Sequence, residues 1–344
     1  MRAAVLWPAP RGQRWAARAK GEDVPDQTDG LAGLAEYGVQ LHLEDSVGFP
    51  LNPLGRMSTL YAGLDPLRAL RLVSRRRRYD TIVAVGCSAG AIPLMLAPWL
   101  RMPPVVVVDP ALSEDYRRRR QLQDLTLPSA AVVVVYGRNQ LFELGRRYPR
   151  LRVEFVHHRV DSSFYCASDR SGRRSPMTLL AVGNDVSRDY ALLNEATSAV
   201  LGTGVGLRCL VRTDRDISDY RSLIRVPPAS FPALRELYRS ADIFVMPAKN
   251  TMHAGGINAL LEAMSCGLPV ICTSSSGLGD YAKGDRARVV PVGDAVALAN
   301  AIVALVGDHE ARLSVGRAAR AFVEEHCSLP RYSSRLASIL ASVA

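Results

Sequence analysis

Lysine is nearly missing from this chain: of its 43 basic residues only Lys20, Lys249 and Lys283 are lysines, and the rest are arginine. Part of that bias belongs to genomic base composition, so the net charge of +10 does not by itself name a partner. Aromatic residues make up 6% of the chain, and neither a recognition helix nor a stacking platform is spelled out, which argues against a nucleic-acid binder. The six cysteines form no C-x-x-C pair, so neither a zinc site nor a disulfide framework is indicated. No long apolar run exists either: the best candidate, Ala84 to Leu100, is broken by Gly86, Gly90, Pro93 and Pro98, which argues against a membrane span. Met1 and Arg2 lead straight into a short apolar stretch and then Pro8, Pro10 and Arg11, a layout unlike a secretory leader, so a cytoplasmic protein is expected. G-x-G-x-x-G follows the first strand of neither half, which disfavours a nicotinamide dehydrogenase.

The chain does have enough apolar residues for two sizeable cores. Its 344 residues are 48% hydrophobic and 22% charged, a globular composition long enough for two domains. In the first half, strand-like runs at Arg2–Trp7, Val39–Leu43, Thr81–Val85, Val105–Asp109, Ala131–Tyr136 and Val153–His157 alternate with helical stretches at Asp29–Tyr37, Pro66–Arg76, Ser113–Asp124 and Asn139–Arg147. The second half repeats the style, with strands at Thr178–Val182, Leu207–Val211, Ile243–Met246, Val270–Thr273 and Arg288–Val290 and helices between them. Continuous apolar strands alternating with amphipathic helices predict parallel sheets covered on both faces. The expected architecture is therefore α/β: two Rossmann-like domains, 1–165 and 177–328, joined by a linker at 166–176 and facing each other across a cleft. A C-terminal helix, 329–344, beyond a break at Pro330, is expected to pack back on the first domain. In such sheets ligands sit at the carboxyl ends of the strands, so the turns after strands are where chemistry is sought.

The most informative turn is ADIFVMPAKNTMHAGGINALLEAMSCGLPVICT, Ala241 to Thr273. Gly255 and Gly256 precede a helix starting near Ile257, and two such glycines let backbone N–H groups approach an anion such as a diphosphate. A plain turn has the same composition. Glu262 lies on that helix among Leu260, Leu261, Ala263 and Met264, placed to accept both hydroxyls of a ribose or to stand as a solvated glutamate.

This stretch resembles the donor half of the GT-B glycosyltransferases of family 4, retaining enzymes that use nucleotide sugars. LLEAMSCGLPV matches the later part of that family's E-G-F-G-x-x-x-L-E-A-M-A-x-G-x-P-V pattern nearly residue for residue. LLAVGNDVSRDYALLNEA, Leu179 to Ala196, is similar to the family's first donor-domain turn, and VDSSFY, Val160 to Tyr165, to the segment that closes its acceptor domain. The resemblance covers about residues 150–330. It implies an acceptor-binding first domain, a donor-binding second domain, and transfer of a sugar from a nucleoside diphosphate sugar to an acceptor hydroxyl with retention of configuration. Gly183, Asn184, Arg188, Gly255, Gly256, Ile257 and Glu262 would bind the donor. There are departures. The family's first motif glutamate falls on Ala254, with His253 one position earlier as a substitute toward the donor sugar, and where the family shows Gly-Arg and a downstream Lys this chain has Gly183-Asn184 and Arg188. An arginine there can take two phosphate oxygens at once.

The acceptor half offers Asp109 at the end of an apolar strand, to orient a hydroxyl or help it lose its proton, and Gly86 and Ser88 in VGCSAGAI as acceptor contacts. Two arginine blocks, Arg75–Arg78 and Arg117–Arg120, suggest a basic face for an anionic acceptor or a peripheral contact with an anionic membrane. No Asp-x-Asp-like pair is assigned to a strand end of the donor half, so no metal is expected, and the nucleotide sugar enters as substrate rather than cofactor. The alternative reading is a catalytically degenerate GT-B protein that binds a nucleotide sugar or regulates a partner.

Overall fold

The computed structural model describes residues 1–17, 20–46, 64–109, 117–167 and 176–344, with the side chains of residues 117–119 excepted. Pro110 and most of the expected linker, residues 168–175, lie outside the described residues. The chain divides into two compact units, one of Met1–Glu22, Asp26–His157 and Pro330–Ala344, the other of Asp23–Pro25 and His158–Leu329.

The first unit holds β1 (Arg2–Leu6), α1 (Gly12–Ala17), β2 (Gln40–Leu43), α2 (Pro66–Arg75), β3 (Thr81–Val85), α3 (Cys87–Leu96), β4 (Val105–Val108), α4 (Arg117–Thr126), β5 (Val132–Val135), α5 (Arg138–Arg147) and β6 (Val153–Phe155). Its sheet is parallel throughout, in the order β2-β1-β3-β4-β5-β6. β4 and β5 are runs of four buried valines, because a central parallel strand is covered on both faces and β-branched side chains fit the pleat. Asp65 caps α2 by accepting from the Arg68 N–H, with Pro66 in the first turn where its missing donor costs nothing. The helix expected over Asp29–Tyr37 is a 3-10 segment, Ala32–Tyr37, stopped by Gly38 at φ 73°.

Parallel topology also separates the two arginine blocks, so the expectation of one basic face is corrected. A crossover helix runs antiparallel to its strands. α2 therefore ends, and Arg75–Arg78 lie, at the amino edge of the sheet, whereas α4 begins at Arg117 at the carboxyl edge.

The second unit contains β7 (Met177–Val182), α6 (Tyr190–Gly202), β8 (Leu207–Arg212), β9 (Leu223–Val226), α7 (Phe231–Ser240), β10 (Ile243–Met246), α8 (Ile257–Ser265), β11 (Val270–Thr273), β12 (Arg288–Val290), α9 (Ala295–Gly307) and α10 (His309–Phe322). The order β12-β11-β10-β7-β8-β9, again all parallel, reverses direction between β7 and β10. The loops after those two strands consequently flank a topological switch point. β9 was not foreseen; it is a short edge strand with its middle two residues exposed and carries little apolar signal.

Residues from Leu329 to Ala341 form α11. Pro330 stands in its first turn and helps to start it. Tyr332, Leu336, Ile339 and Leu340, at helical spacing, enter the core of the first unit with Trp7, Val106 and Val134. The Tyr332 and Tyr136 hydroxyls lie 3.2 Å apart, and the Ser333 hydroxyl donates to the Gly30 carbonyl at 2.7 Å. Leu336 is 0% exposed, so Leu336→Ala is expected to cost about 2–5 kcal/mol. All three tryptophans, Trp7, Trp15 and Trp99, lie in this unit, and urea unfolding followed by their emission reads that loss directly. An unchanged midpoint would detach the helix from this core.

Candidate functional site at the switch point of the second unit

The loop after β7 is built around Arg188. Its main chain bridges antiparallel to Ala248 in the loop after β10, and its side chain turns inward, 1% exposed. Nε donates to the Val182 carbonyl at 3.3 Å and Nη1 to the Gly255 carbonyl at 3.2 Å, while the buried Nη2 has no hydrogen-bond partner. Burial pulls its pKa down, with Tyr190 and Asp185 acting the other way.

Two glycines of this site, Gly183 and Gly256, are explained by that guanidinium. Gly183 has φ 148°, and a Cβ there would stand 2.6 Å from Arg188 Nε; a Cβ on Gly256, at φ 84°, would overlap the guanidinium outright. Gly256 caps α8, whose first amides point out of the same loop. Gly183, Arg188, Gly255, Gly256 and Ile257 thus come together as a helix start with a buried cation behind it. The loop is braced from the side: the Tyr190 hydroxyl donates to the Gly183 carbonyl at 2.6 Å, and Arg215 Nη1 to the Arg188 carbonyl at 2.9 Å.

Asn184 is engaged elsewhere. Its amide donates to Asp214 Oδ2 at 2.5 Å and accepts from the Asp214 N–H at 2.7 Å, tying the loop after β7 to the loop after β8. The reading that no Asp-x-Asp pair stands at a strand end is corrected here, since Asp214-Arg215-Asp216 follows the end of β8 after one residue, Thr213. Its carboxylates take different partners, Asp214 the Arg212 guanidinium at 3.0 Å and Asp216 the Ser218 N–H at 3.0 Å. Among the described residues no group of three or more His, Cys, Asp or Glu is arranged to hold a metal.

Glu262 sits half-buried in the second turn of α8. Tyr238, a fully buried residue of α7, donates to its Oε2 at 2.8 Å, and Tyr165 stacks edge-on to Tyr238 with ring centroids 5.9 Å apart. Burial pushes the Glu262 carboxyl up to about 6, with the phenols of Tyr238 and Tyr165 pulling it down. Sequence reasoning missed both Tyr238, which bonds Glu262, and Tyr165, which acts on its charge; Tyr165 stands in the VDSSFY segment, and Tyr238 shows only as an apolar position of a helix.

His253 contributes its carbonyl, which accepts from Gly255 N–H and the Thr251 hydroxyl, each at 2.8 Å. Its ring is half-buried near Asp185. Burial opposes ionisation of Asp185, but hydrogen bonds from Ser187 and the charges of His253 and Arg188 outweigh it and hold the pKa low. Ala254, where the resembled family has glutamate, is 5% exposed in the apolar core. Another residue not foreseen is His158, whose Nε2 lies 2.6 Å from Asn258 Oδ1 in the first turn of α8.

In the first unit the structure brings Gly86 and Asp109 together. Gly86, at φ 82°, donates its N–H to the Val108 carbonyl at 2.7 Å. Asp109 holds the left-handed conformation at φ 51°, a strained setting for a residue with a Cβ, at the carboxyl edge of β4. Ser88 lies in the first turn of α3, half-buried.

Residues 179–308 match the family described as Glycosyl transferases group 1. Over 109 residues the chain is 35% identical to a GDP-mannose-dependent monoacylated alpha-(1-6)-phosphatidylinositol monomannoside mannosyltransferase of Corynebacterium glutamicum, covering 30% of this chain and 28% of that protein. Over 114 residues it is 36% identical to the D-inositol 3-phosphate glycosyltransferase of Pseudarthrobacter chlorophenolicus, covering 33% and 26%. The chain therefore spans under a third of the length of these curated relatives. Sucrose-phosphate synthase from Thermosynechococcus elongatus superposes with a TM-score of 0.73 at 16% identity, covering 99% of this chain and 98% of that one. Anabaena HepE in complex with UDP superposes with a TM-score of 0.71 at 15% identity, covering 99% and 100%. The fold is that of the GT-B glycosyltransferases, and the second unit carries the match to glycosyl transferases group 1.

Proposed function

We propose that this chain is a glycosyltransferase that moves a sugar from a nucleoside diphosphate sugar to an acceptor hydroxyl, with retention of configuration. The observation that carries the reading is Arg188: a buried cation with an unpartnered Nη2 and no carboxylate hydrogen-bonded to it, set behind the Gly255–Gly256 start of an α-helix. Such a place favours an anion, and a diphosphate is the anion that the neighbouring Glu262 can complement by accepting ribose hydroxyls. HepE has been crystallised with UDP and with UDP-glucose, and the corynebacterial relative uses GDP-mannose, which supports a nucleotide sugar as donor.

In this reading the bond between the anomeric carbon and the diphosphate oxygen breaks while a bond to the acceptor oxygen forms on the same face of the sugar. The charge that develops on the leaving diphosphate meets the α8 amides and the field of Arg188. Glu262, with one oxygen pinned by Tyr238, accepts from the ribose. Asp109 orients the acceptor hydroxyl or helps it lose its proton, and His253 lies on the side of the donor sugar. A thermal-shift screen against UDP, GDP, TDP and ADP tests the donor site and its base, since a ligand at a hundred times its Kd raises stability by about 2.7 kcal/mol.

Arg188→Ala is expected to weaken nucleoside diphosphate binding by about 1.5–3 kcal/mol, with Arg188→Lys recovering part of it and the free nucleoside hardly affected. Calorimetry of the nucleoside and its diphosphate on each variant isolates the phosphate contribution, and equal losses for both ligands would make Arg188 a support of the fold only.

Glu262→Gln is expected to weaken donor binding by about 1–3 kcal/mol at neutral pH. The carboxylate binds ribose in its ionised form and titrates near 6, so wild-type affinity for an intact nucleotide sugar, whose diphosphate keeps its charge over this range, should fall as pH drops through about 6. The glutamine variant should show no such step, and a step that persists there would assign it to another group.

A further inference from the structure

The amino edge of the first unit's sheet carries a surface that the donor site does not use. The crossover helices α2, α3, α4 and α5 all end there, and the turns that follow lie side by side. The Asp80 N–H donates to the Arg2 carbonyl at 2.8 Å, the Ile82 N–H to the Pro104 carbonyl at 2.9 Å, the Ala131 N–H to the Val105 carbonyl at 2.9 Å and the Val133 N–H to the Arg152 carbonyl at 2.9 Å. In the turn between α3 and β4, Trp99 is 85% exposed, with Met95 exposed one helical turn before it. The other two tryptophans pack on each other, with ring centroids 5.2 Å apart.

On the neighbouring turns Arg77, Arg78, Arg101 and Arg150 are exposed and enter no ion pair among the described residues. The nearby acids are already engaged: Asp80 accepts from the Arg2 N–H at 2.7 Å, and Asp124 takes Arg147 and the Tyr148 hydroxyl. Helix C-termini favour cations, which accounts for some arginine at such an edge. It does not account for a tryptophan held in water among them.

We propose that this edge of the first unit is a docking surface for an anionic lipid bilayer, with Trp99 seated at the headgroup level and Arg77, Arg78, Arg101 and Arg150 against the charged surface. Tryptophan prefers the boundary between headgroups and acyl chains because its ring is apolar and its N–H needs a wet partner. Arginines beside an anionic leaflet add attraction that salt screens, about fivefold in partitioning for each one. No helix among the described residues is long and apolar enough to cross a membrane, so the contact is peripheral. Gly86 and Asp109 lie at the opposite edge of the same strands, so docking leaves them uncovered. The inference does not rest on the glycosyl-transfer reading, and either stands if the other fails.

The test is co-sedimentation of the full chain with vesicles of phosphatidylcholine, with and without phosphatidylglycerol, in low and in high salt. Wild type should pellet only with the anionic vesicles and only in low salt. Trp99→Ala should weaken that partitioning about tenfold and abolish the blue shift of tryptophan emission on vesicle addition, and the Arg77→Glu, Arg78→Glu double variant should lose binding. Circular dichroism checks the fold of each, and all three sites are exposed. Wild type that stays in the supernatant in low salt, or variants that pellet like wild type, would overturn the proposal. Capture by polyglutamate beads without vesicle binding, undiminished in Trp99→Ala, would also overturn it and point to an acidic protein.

Discussion

A guanidinium held in the interior without a carboxylate bonded to it is the constraint around which the second unit's site is arranged. Water can no longer solvate Arg188, and two backbone carbonyls satisfy only part of its fork. The remaining Nη2 carries a desolvation cost of about 1–3 kcal/mol. What surrounds it follows. Gly183 and Gly256 can carry no side chain because the guanidinium fills the space, and both take backbone conformations that glycine adopts without strain. Tyr190 and Arg215 hold the loop from outside, so the cation keeps its place although nothing neutralises it by direct contact.

Parallel topology decides what else the molecule does with its charges. Every crossover helix in the first unit begins at the carboxyl edge and ends at the amino edge, so glycines and carboxylates that shape turns after strands collect at one edge and arginines that suit helix C-termini at the other. Gly86 and Asp109 occupy the first kind of position, Arg77, Arg78 and Arg101 the second.

Elements that are apolar throughout were legible in the sequence, since the valine runs of β4 and β5 admit little else, and so was the start of α8 with its two glycines. The edge strand β9 was not, because half of its residues face water and the alternation is too short to count. Arginine blocks read as runs of charge lost their meaning as one face, because linear spacing says nothing about which edge of a sheet a turn belongs to. Pro330 read as a break, whereas its position in the first turn of α11 makes it a start. The hydrogen-bond donor to Glu262, Tyr238, comes from another helix, and Tyr165, packed edge-on against it, from a segment far away in sequence, so no spacing rule connects either to Glu262. Asp214-Arg215-Asp216 shows the opposite failure, a legible spacing whose two carboxylates the fold turns to separate tasks.

Two shifts in the second unit have the same cause and opposite signs: burial raises the pKa of Glu262 and lowers that of Arg188. Each charged form is therefore less favoured there than it would be in water. A ligand with hydroxyls for the first and an anion for the second restores at once the interactions that both groups lack. Within the proposed reading, the fold bears the cost of desolvating Arg188 and part of that for the half-buried Glu262, so the bound nucleotide sugar meets groups with less water left to shed. Within the same reading an uncharged nucleoside reaches only one of them, which places the proposed site's selectivity on the diphosphate.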